Sequence, residues 1–239
     1  MFDKEKEKLQ KQLEDVQERI KAAAISVGRD PSSIELVVVT KGKPALIIKT
    51  LFELGINTFG ESYLKEALFK MELLKQYDIN WHMIGTIQKG KVKSITDKFS
   101  QIQSIDRYEL AEEISKRAAL INKRMPVFLE VNLSGEPTKH GWKITSDDDL
   151  ELFLNDAARI LDFGSIRLKG LMTMAPYSKD PEDSRKYFKE LKRIKVALVN
   201  KCRNVDELGL SMGMSGDFEV AIQEGTTMLR IGSAIVGDR

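Results

Sequence analysis

The chain has 239 residues, 42% of them hydrophobic, and its 38 basic and 36 acidic side chains leave a formal charge of +2. This length suits one large domain, and the hydrophobic content is enough for a core without a metal or disulfide to support it. The near balance of charge gives no overall field that would attract nucleic acid or an anionic membrane, so neither is expected as a partner.

The compartment follows from what the sequence lacks. One cysteine, Cys202, excludes an internal disulfide, and its place at a basic helix end with no base nearby favours a structural role. The first residues are densely charged and do not form a signal peptide, and no apolar run of about 18 residues could span a membrane. We therefore expect a cytoplasmic protein.

The amino-terminal segment, residues 3–27, predicts an amphipathic helix. Gly28 and Pro31 end the pattern. The apolar stripe covers too few heptads to favour a coiled coil, so the helix is expected to pack on the domain that follows. The stripe consists of Leu9, Leu13, Val16, Ile20 and Ala24, which recur at helical spacing.

The rest of the chain alternates between predicted strands and helices. Residues 35–41 (ELVVVTK) form a valine-rich run typical of a buried parallel strand, and residues 44–54 predict a helix. Helical patterns are clearest over residues 108–121, 149–161 and 184–200. Further strands are predicted over residues 57–60, 81–85, 102–106, 127–133, 168–174, 208–212 and 228–232.

This alternation favours a parallel sheet covered by helices. About eight strands favour a closed (β/α)8 TIM-type barrel over an open doubly wound sheet, whose crossover reversal is not visible in the sequence. No linker or low-complexity tract interrupts the pattern, so residues 1–239 are predicted to form a single domain.

Lys41 is the first candidate for chemistry. It follows the apolar run LVVV and its Thr40, so its amine is expected at the mouth of the barrel, where active sites of this fold lie. Partial desolvation there would favour the neutral amine, a nucleophile toward carbonyl carbon. The alternative is a solvated lysine at a strand end.

A phosphate site is predicted near the carboxyl terminus, where loops after the last two barrel strands often bind phosphate. Ser211, Gly232 and Ser233 offer hydroxyls and close backbone approach, and Ser215 is predicted to cap a helix that begins there. A reactive lysine beside such a site suits pyridoxal 5'-phosphate. Arg230 fits as the partner of the pyridine nitrogen, with a structural ion pair as the alternative.

Seven segments carry a family resemblance: VVVTKGKP, FGESYLKE, WHMIGTIQKGK, SIDR, VNLSGE, GLMTM and LSMGMSGDFEVAIQEGTTMLRIGSAIVG. Together they closely resemble the pyridoxal-phosphate homeostasis protein family, which is related to the amino-terminal barrel of alanine racemase. The resemblance extends from about Glu35 to Gly237, and the long last segment is its most specific part.

The resemblance implies a barrel of the alanine racemase amino-terminal type, an internal aldimine at Lys41 and Arg230 at the pyridine nitrogen. Two positions depart from the common family pattern: Ser62 stands where asparagine is usual, and Thr86 where histidine often follows IG. The other cofactor residues that the resemblance implies are Ser211, Gly232 and Ser233 at the phosphate, with Asn57 and Met212 lining the pocket.

Other polar residues are assigned ordinary roles. His82 is expected in the core, and it lies too far along the chain from His140, which is in a polar loop, for the two to suggest a metal site. Lys139 is interpreted as a loop lysine, with a second, weaker cofactor contact as the alternative. The basic segment QKGKVK, residues 88–93, is interpreted as a solvated helix start.

The predicted function is a pyridoxal-phosphate carrier of vitamin B6 homeostasis that buffers the cofactor and hands it to other enzymes. The alternatives are an amino-acid racemase or related cofactor enzyme, a Schiff-base aldolase without the cofactor and, last, a nucleic-acid-binding module. Amino acids are possible ligands of the loaded protein.

A racemase needs a base on each face of the bound substrate, and Lys41 serves only one. Because the chain ends at Arg239 without a second domain, no partner tyrosine is expected, and the protein is predicted to be monomeric and a poor enzyme. None of the chain's own tyrosines is judged to follow a strand end closely enough, namely those at positions 63, 77, 108, 177 and 187.

Overall fold

The first element is a long helix, α1 (Phe2–Ser26), in a computed structural model that describes residues 2–202 and 207–238. Every residue of the predicted apolar stripe is buried, and so is Ala23. This face packs against the last two helices of the chain, while the opposite face is charged and exposed. The predicted amphipathic helix is therefore confirmed.

After α1 the described chain alternates between strands and helices. Short 3₁₀ turns lie at Pro31–Ser33, Lys89–Lys91 and Pro181–Ser184. The strands are β1 (Glu35–Val39), β2 (Thr58–Glu61), β3 (Asn80–Met83), β4 (Gln101–Ile105), β5 (Met125–Asn132), β6 (Trp142–Lys143), β7 (Ile166–Met172), β8 (Gly209–Ser211) and β9 (Met228–Ile231). The helices are α2 (Ala45–Glu53), α3 (Leu64–Leu73), α4 (Val92–Lys98), α5 (Tyr108–Leu120), α6 (Asp147–Leu161), α7 (Arg185–Lys201), α8 (Phe218–Gln223) and α9 (Ser233–Val236).

The strands close into a ring. They pair in the order β4-β3-β2-β1-β9-β8-β7-β5, and β4 also pairs with β5. All of these pairings are parallel, and the two-residue β6 lies beside β5 outside the ring. A closed barrel of eight parallel strands with helices outside is the predicted (β/α)8 architecture, which is confirmed.

Successive side chains of each strand face opposite sides of the barrel wall. On β1, Val38 belongs to the large outer cluster under the helices, whereas Val37 belongs to a small inner cluster. On β9, Leu229 faces the outer cluster and Met228 the inner one. The hydrophobic effect therefore acts mainly between the wall and the helices, where burial of a large aliphatic side chain contributes about 1.5–3 kcal/mol.

The barrel interior is largely polar. Buried polar groups are costly unless hydrogen-bonded, so an interior of this kind restricts its side chains to a few arrangements. The strand residues that face the interior alternate with apolar residues that face the helices. The polar ones are His82, Gln101, Gln103, Glu130, Asn132, Ser211 and Arg230, and all of them are buried.

Most predicted elements lie within two residues of the observed bounds, with two informative differences. The first strand ends at Val39, so Thr40 and Lys41 belong to the loop that follows it. The prediction that Ser215 caps a helix is wrong, because α8 begins only at Phe218. Across the described ranges, no helix has the length and apolar character that a bilayer crossing would require.

Candidate functional site

A cavity of about 380 Å³ lies at the carboxyl ends of the barrel strands. Its lining residues lie at or just beyond the carboxyl ends of six different strands of the ring, so the fold itself brings them together. This is the face at which barrels of this kind carry their active sites. The lining includes Val39, Lys41, Lys43, Ser62, Ile84, Met174, Tyr177, Ser184, Met214, Ser215, Gly216, Asp217, Arg230, Gly232, Ser233 and Asp238.

Lys41 lines the cavity two residues beyond the end of β1. Its side chain is exposed to the cavity, and its amine makes no hydrogen bond or ion pair with any residue of the described ranges. Lys43 also lines the cavity, but its Nζ donates a hydrogen bond to the backbone carbonyl of Asp238 at 2.6 Å. Of these two lysines, Lys41 is thus the one with an uncommitted amine.

Another wall of the cavity is the loop from Met214 to Asp217, which follows β8. Asp217 shapes this loop, because its Oδ1 accepts a hydrogen bond from the backbone N–H of Met214 at 2.7 Å. Its Oδ2 accepts another from Oγ of Ser184 at 2.9 Å. The loop carries Ser215 to the start of α9, where its Oγ accepts the N–H of Ala234 at 3.2 Å.

Gly232 and Ser233 lie at the same place, at the amino end of α9. The first N–H groups of a helix have no partners within it, and they favour anionic ligands. Together with the hydroxyls of Ser215 and Ser233, they form a set of donors suited to a phosphate group.

Arg230 lies in the floor of the cavity and is buried. Its Nη1 donates to Oγ of Ser211 at 2.5 Å and its Nη2 to the carbonyl of Thr173 at 2.9 Å. Burial lowers the pKa of this guanidinium to about 10, although the carboxylates of Glu130 and Asp217 act in the opposite direction. At neutral pH Arg230 is therefore a cationic donor inside the barrel.

The hydrogen bonds continue from Ser211 across the interior. Ser211 Oγ donates to Oε1 of Gln103 at 2.7 Å, and Gln103 Nε2 lies 2.9 Å from Nδ1 of His82. With Gln103 donating, Nδ1 must accept, so the proton of a neutral His82 ring lies on Nε2. Burial lowers the pKa of His82 to about 4, which agrees with a neutral ring.

Glu130 is the acidic group of the interior. Burial raises the pKa of its carboxyl to about 7, while Arg230 lowers it and Asp106 raises it further. Burial therefore outweighs the attraction of the nearby guanidinium.

The structure brings together four of the seven predicted cofactor residues at the cavity: Lys41, Arg230, Gly232 and Ser233. Ser211 lies one layer deeper, where it holds Arg230 and does not line the cavity. Met212 is fully buried in the outer cluster, since the alternation that turns Ser211 inward turns Met212 toward the helices.

The expected place of Asn57 in the pocket needs correction. It is exposed and precedes β2, at the amino end of the barrel, whereas the cavity lies at the carboxyl ends. The four residues of β2 separate the two ends by roughly 13 Å. Ser62, directly after β2, lines the cavity instead.

Sequence reasoning also missed Ser215 as a pocket residue. The sequence does carry a signal for Ser215, because it follows the end of β8, and residues that follow a strand end lie at the barrel mouth. Tyr177 also lines the cavity, five residues after β7, and it is 93% exposed, so it lies on the solvent-facing rim.

Gly85, after β3, packs directly against the backbone of Ser62, after β2. A Cβ at this position would lie 2.3 Å from the carbonyl oxygen of Ser62, so only glycine allows the two segments to approach. Thr86 follows Gly85 and does not line the cavity.

The two histidines and Lys139, which were expected to be core or loop residues, lie in such positions. His82 is a core histidine, as expected. Nδ1 of His140 lies 3.8 Å from Asp106, and Lys139 pairs with Glu136 at 2.5 Å. Within residues 2–202 and 207–238, no three histidine, cysteine, aspartate or glutamate side chains are grouped as a metal site would require.

Fold and site together define the class of protein. It is a closed barrel of parallel strands that presents a lysine amine and a set of hydrogen-bond donors suited to phosphate at its mouth. Residues 11–239 match the family model described as alanine racemase, N-terminal domain. An alanine racemase of Clostridium difficile 630 shares the fold at a TM-score of 0.71 and 13% identity, over 98% of this chain and 57% of that chain.

Curated relatives narrow the family. The pyridoxal phosphate homeostasis protein of Aquifex aeolicus (strain VF5) is 40% identical, over 95% of this chain and 96% of its own length. PipY of Synechococcus elongatus PCC7942, solved with PLP bound, superimposes with a TM-score of 0.79 at 28% identity, over 93% of this chain and 100% of PipY. The chain belongs to the alanine racemase amino-terminal-domain family and, within it, to the pyridoxal phosphate homeostasis proteins.

Proposed function

We propose that this chain binds pyridoxal 5'-phosphate at the barrel mouth and serves in the intracellular homeostasis of that cofactor. The observation that carries the proposal is the amine of Lys41, unpaired within the described part of the chain, in a cavity that also presents phosphate donors on the loops after β8 and β9. The relatives that bear the homeostasis name, and PipY with its bound PLP, support it.

The residues present fit the chemical groups of this cofactor. Its aldehyde condenses with a primary amine with loss of one water, and Lys41 supplies that amine. Ser215, Gly232 and Ser233 offer hydroxyl and N–H donors for the phosphate, and Val39, Ile84 and Met174 offer apolar surface for the ring.

Arg230 is the proposed neighbour of the pyridine nitrogen. A guanidinium only donates hydrogen bonds, so it keeps such a nitrogen unprotonated and limits the ring's ability to stabilise negative charge. Two of its nitrogens already bond Ser211 and Thr173, which holds its plane in place. A cofactor held this way is better suited to storage than to carbanion chemistry.

The experiment that tests binding is the absorbance spectrum of the purified protein loaded with pyridoxal phosphate, before and after borohydride reduction. The loaded protein should absorb in the visible, and reduction should fix the cofactor on the peptide that contains Lys41. Lys41→Ala should lose both signals, whereas Lys43→Ala should keep them. A label found mainly on Lys43 or Lys139 would contradict the site, and the absence of any chromophore would favour the aldolase alternative.

A cofactor-dependent amino-acid enzyme is the second candidate, and Tyr177 favours it. This tyrosine lines the same cavity as Lys41, and a racemase requires a base on each face of its substrate. Steady interconversion of D- and L-alanine at about 1 s⁻¹ or faster, abolished in Tyr177→Phe, would establish this function. We expect no such turnover, because Arg230 disfavours charge on the ring.

The wider role follows from a carrier that holds a reactive aldehyde. We expect a cytoplasmic monomer. Its bound cofactor should react with some amino acids and should be passed to the apo forms of enzymes that use it. Transfer from the loaded protein to an apo enzyme, faster than release into buffer, would support delivery; sedimentation would test the monomer.

A further inference from the structure

The residues on both sides of Lys41 are hydrogen-bonded to one ionic cluster, formed by Glu61, Glu66 and Lys70, of which Glu61 and Lys70 are buried. Glu61 ends β2, and the other two lie on α3. None of the three lines the cavity, so the binding of a cofactor does not account for them.

Lys70 is the centre of this ionic cluster. Its side chain is only 3% exposed, and its ammonium donates three hydrogen bonds, as many as it has protons. The acceptors are the carbonyl of Thr40 at 2.8 Å, Oε1 of Glu61 at 2.7 Å and Oε1 of Glu66 at 2.5 Å. A buried ammonium is costly unless it is paired in this way.

The carboxylates of Glu61 and Glu66 also accept hydrogen bonds from the residues on either side of Lys41. Oε1 of Glu61 also accepts the hydroxyl of Thr40 at 2.7 Å, so Thr40 is bound through both its side chain and its carbonyl. Oε1 of Glu66 accepts the backbone N–H of Gly42 at 2.7 Å. Gly42 has a φ of 76°, a turn conformation that favours glycine.

These hydrogen bonds fix the backbone on either side of Lys41. Val39 faces the cavity, and Thr40 faces outward to the ionic cluster. Lys41 and Gly42 are the central residues of a turn that is closed by a hydrogen bond from the N–H of Lys43 to the carbonyl of Thr40 at 3.0 Å. Fixing Thr40 and Gly42 therefore fixes the turn from which Lys41 reaches the cavity. Lys41 itself forms no hydrogen bond or ion pair with any other residue that the structure describes.

From this geometry we infer that Glu61, Glu66 and Lys70 are positioning residues that present the amine of Lys41 to the cavity for reaction with a carbonyl ligand. The inference rests on the proposed function. Without the ionic cluster the cavity keeps its donors for phosphate, but the amine loses its fixed approach to the aldehyde.

Two ligands separate positioning from general damage. Pyridoxal 5'-phosphate reacts with an amine, whereas pyridoxine 5'-phosphate has the same ring and phosphate but an alcohol in place of the aldehyde. In Lys70→Met, the affinity for pyridoxal phosphate and the rate of borohydride trapping on Lys41 should each fall by about tenfold, the effect of losing a charge-assisted hydrogen bond. The affinity for pyridoxine phosphate should stay near that of the unaltered protein.

Lys123→Met is the matched control. Lys123 also has a partly buried ammonium that binds two backbone carbonyls, those of Thr96 and Phe99, but at the amino end of the barrel. This variant should lose some stability and keep both affinities. Circular dichroism and thermal melts would establish that each variant is folded.

Glu66 provides a second, milder test, because its side chain is 28% exposed. Glu66→Leu should slow trapping on Lys41, and Glu66→Gln, which keeps an oxygen for the N–H of Gly42, should recover much of the rate. Equal losses of affinity for the two ligands, or trapping at the unaltered rate in Lys70→Met and Glu66→Leu, would overturn the inference. If the unaltered protein gave no adduct on Lys41, the proposed function would fail as well.

Discussion

Arg230 and Ser211 are joined by a hydrogen bond of 2.5 Å in the interior of the barrel, with the guanidinium as donor. Ser211 passes the interaction on to Gln103, so its hydroxyl is both acceptor and donor. The serine therefore supports the cation under the cavity and does not line the cavity itself.

Ser211→Ala should destabilise the protein and loosen Arg230. The change leaves a guanidinium N–H and Oε1 of Gln103 buried without their partner, at a cost of about 1–3 kcal/mol each when no water replaces it. Urea unfolding would measure the loss. Ser100→Ala, which removes a hydroxyl bound to the carbonyl of Trp81 at the amino end of β4, should cost less. A loss for Ser211→Ala no larger than for this control would contradict the role.

Ser233→Asp should weaken binding of pyridoxal phosphate strongly. A carboxylate a few ångströms from a phosphate dianion, at an effective dielectric constant of about 20, costs a few kcal/mol, or on the order of 100-fold in affinity. Ser233→Asn, which has nearly the same shape without the charge, should lose far less. Pyridoxal, which lacks the phosphate, should bind both variants alike; a Ser233→Asp protein that retained the phosphorylated ligand would place the phosphate elsewhere.

The barrel could be predicted because its wall is apolar on the outer face at every strand, and that pattern repeats with the helices. Lys41 and Ser233 could be located by asking which polar residues follow a strand end. The same rule excludes Asn57, which precedes its strand, and it would have selected Ser62 and Ser215.

The depth of a residue could not be predicted in this way. Ser211 and Met212 are neighbours, and only the inward or outward sense of the strand decides that one supports Arg230 and the other packs under the helices. The ionic cluster around Lys70 was also invisible in the sequence, because a lysine in a short helix is usually solvated, and its burial depends on tertiary packing.

His82 should contribute a pH dependence to stability on the acid side. Its pKa is about 4 in the folded protein against 6.5 for an ordinary histidine, so the unfolded chain binds an extra proton between these two values. Stability from this group is present above pH 6.5 and falls by roughly 3 kcal/mol as the pH drops through 4. Urea unfolding of His82→Asn across this range should show a shallower acid slope, while His140→Asn should keep the slope; equal slopes in all three proteins would contradict the prediction.

Glu130 should produce the opposite slope. Its carboxyl has a pKa of about 7 in the folded protein against 4.5 for an ordinary glutamate, and burial is the main cause. Between these two values the folded state holds a proton that the unfolded chain releases. The stability due to this group is complete below pH 4.5 and is lost as the pH rises through 7, by roughly 3 kcal/mol.

Glu130→Gln removes that titration, so its free energy of unfolding relative to the unaltered protein should rise across this window. Glu7→Gln, on the exposed face of α1, is the control and should show no such rise. A difference between Glu130→Gln and the unaltered protein that stays constant with pH would mean that attraction to Arg230, and not burial, decides the state of the carboxyl.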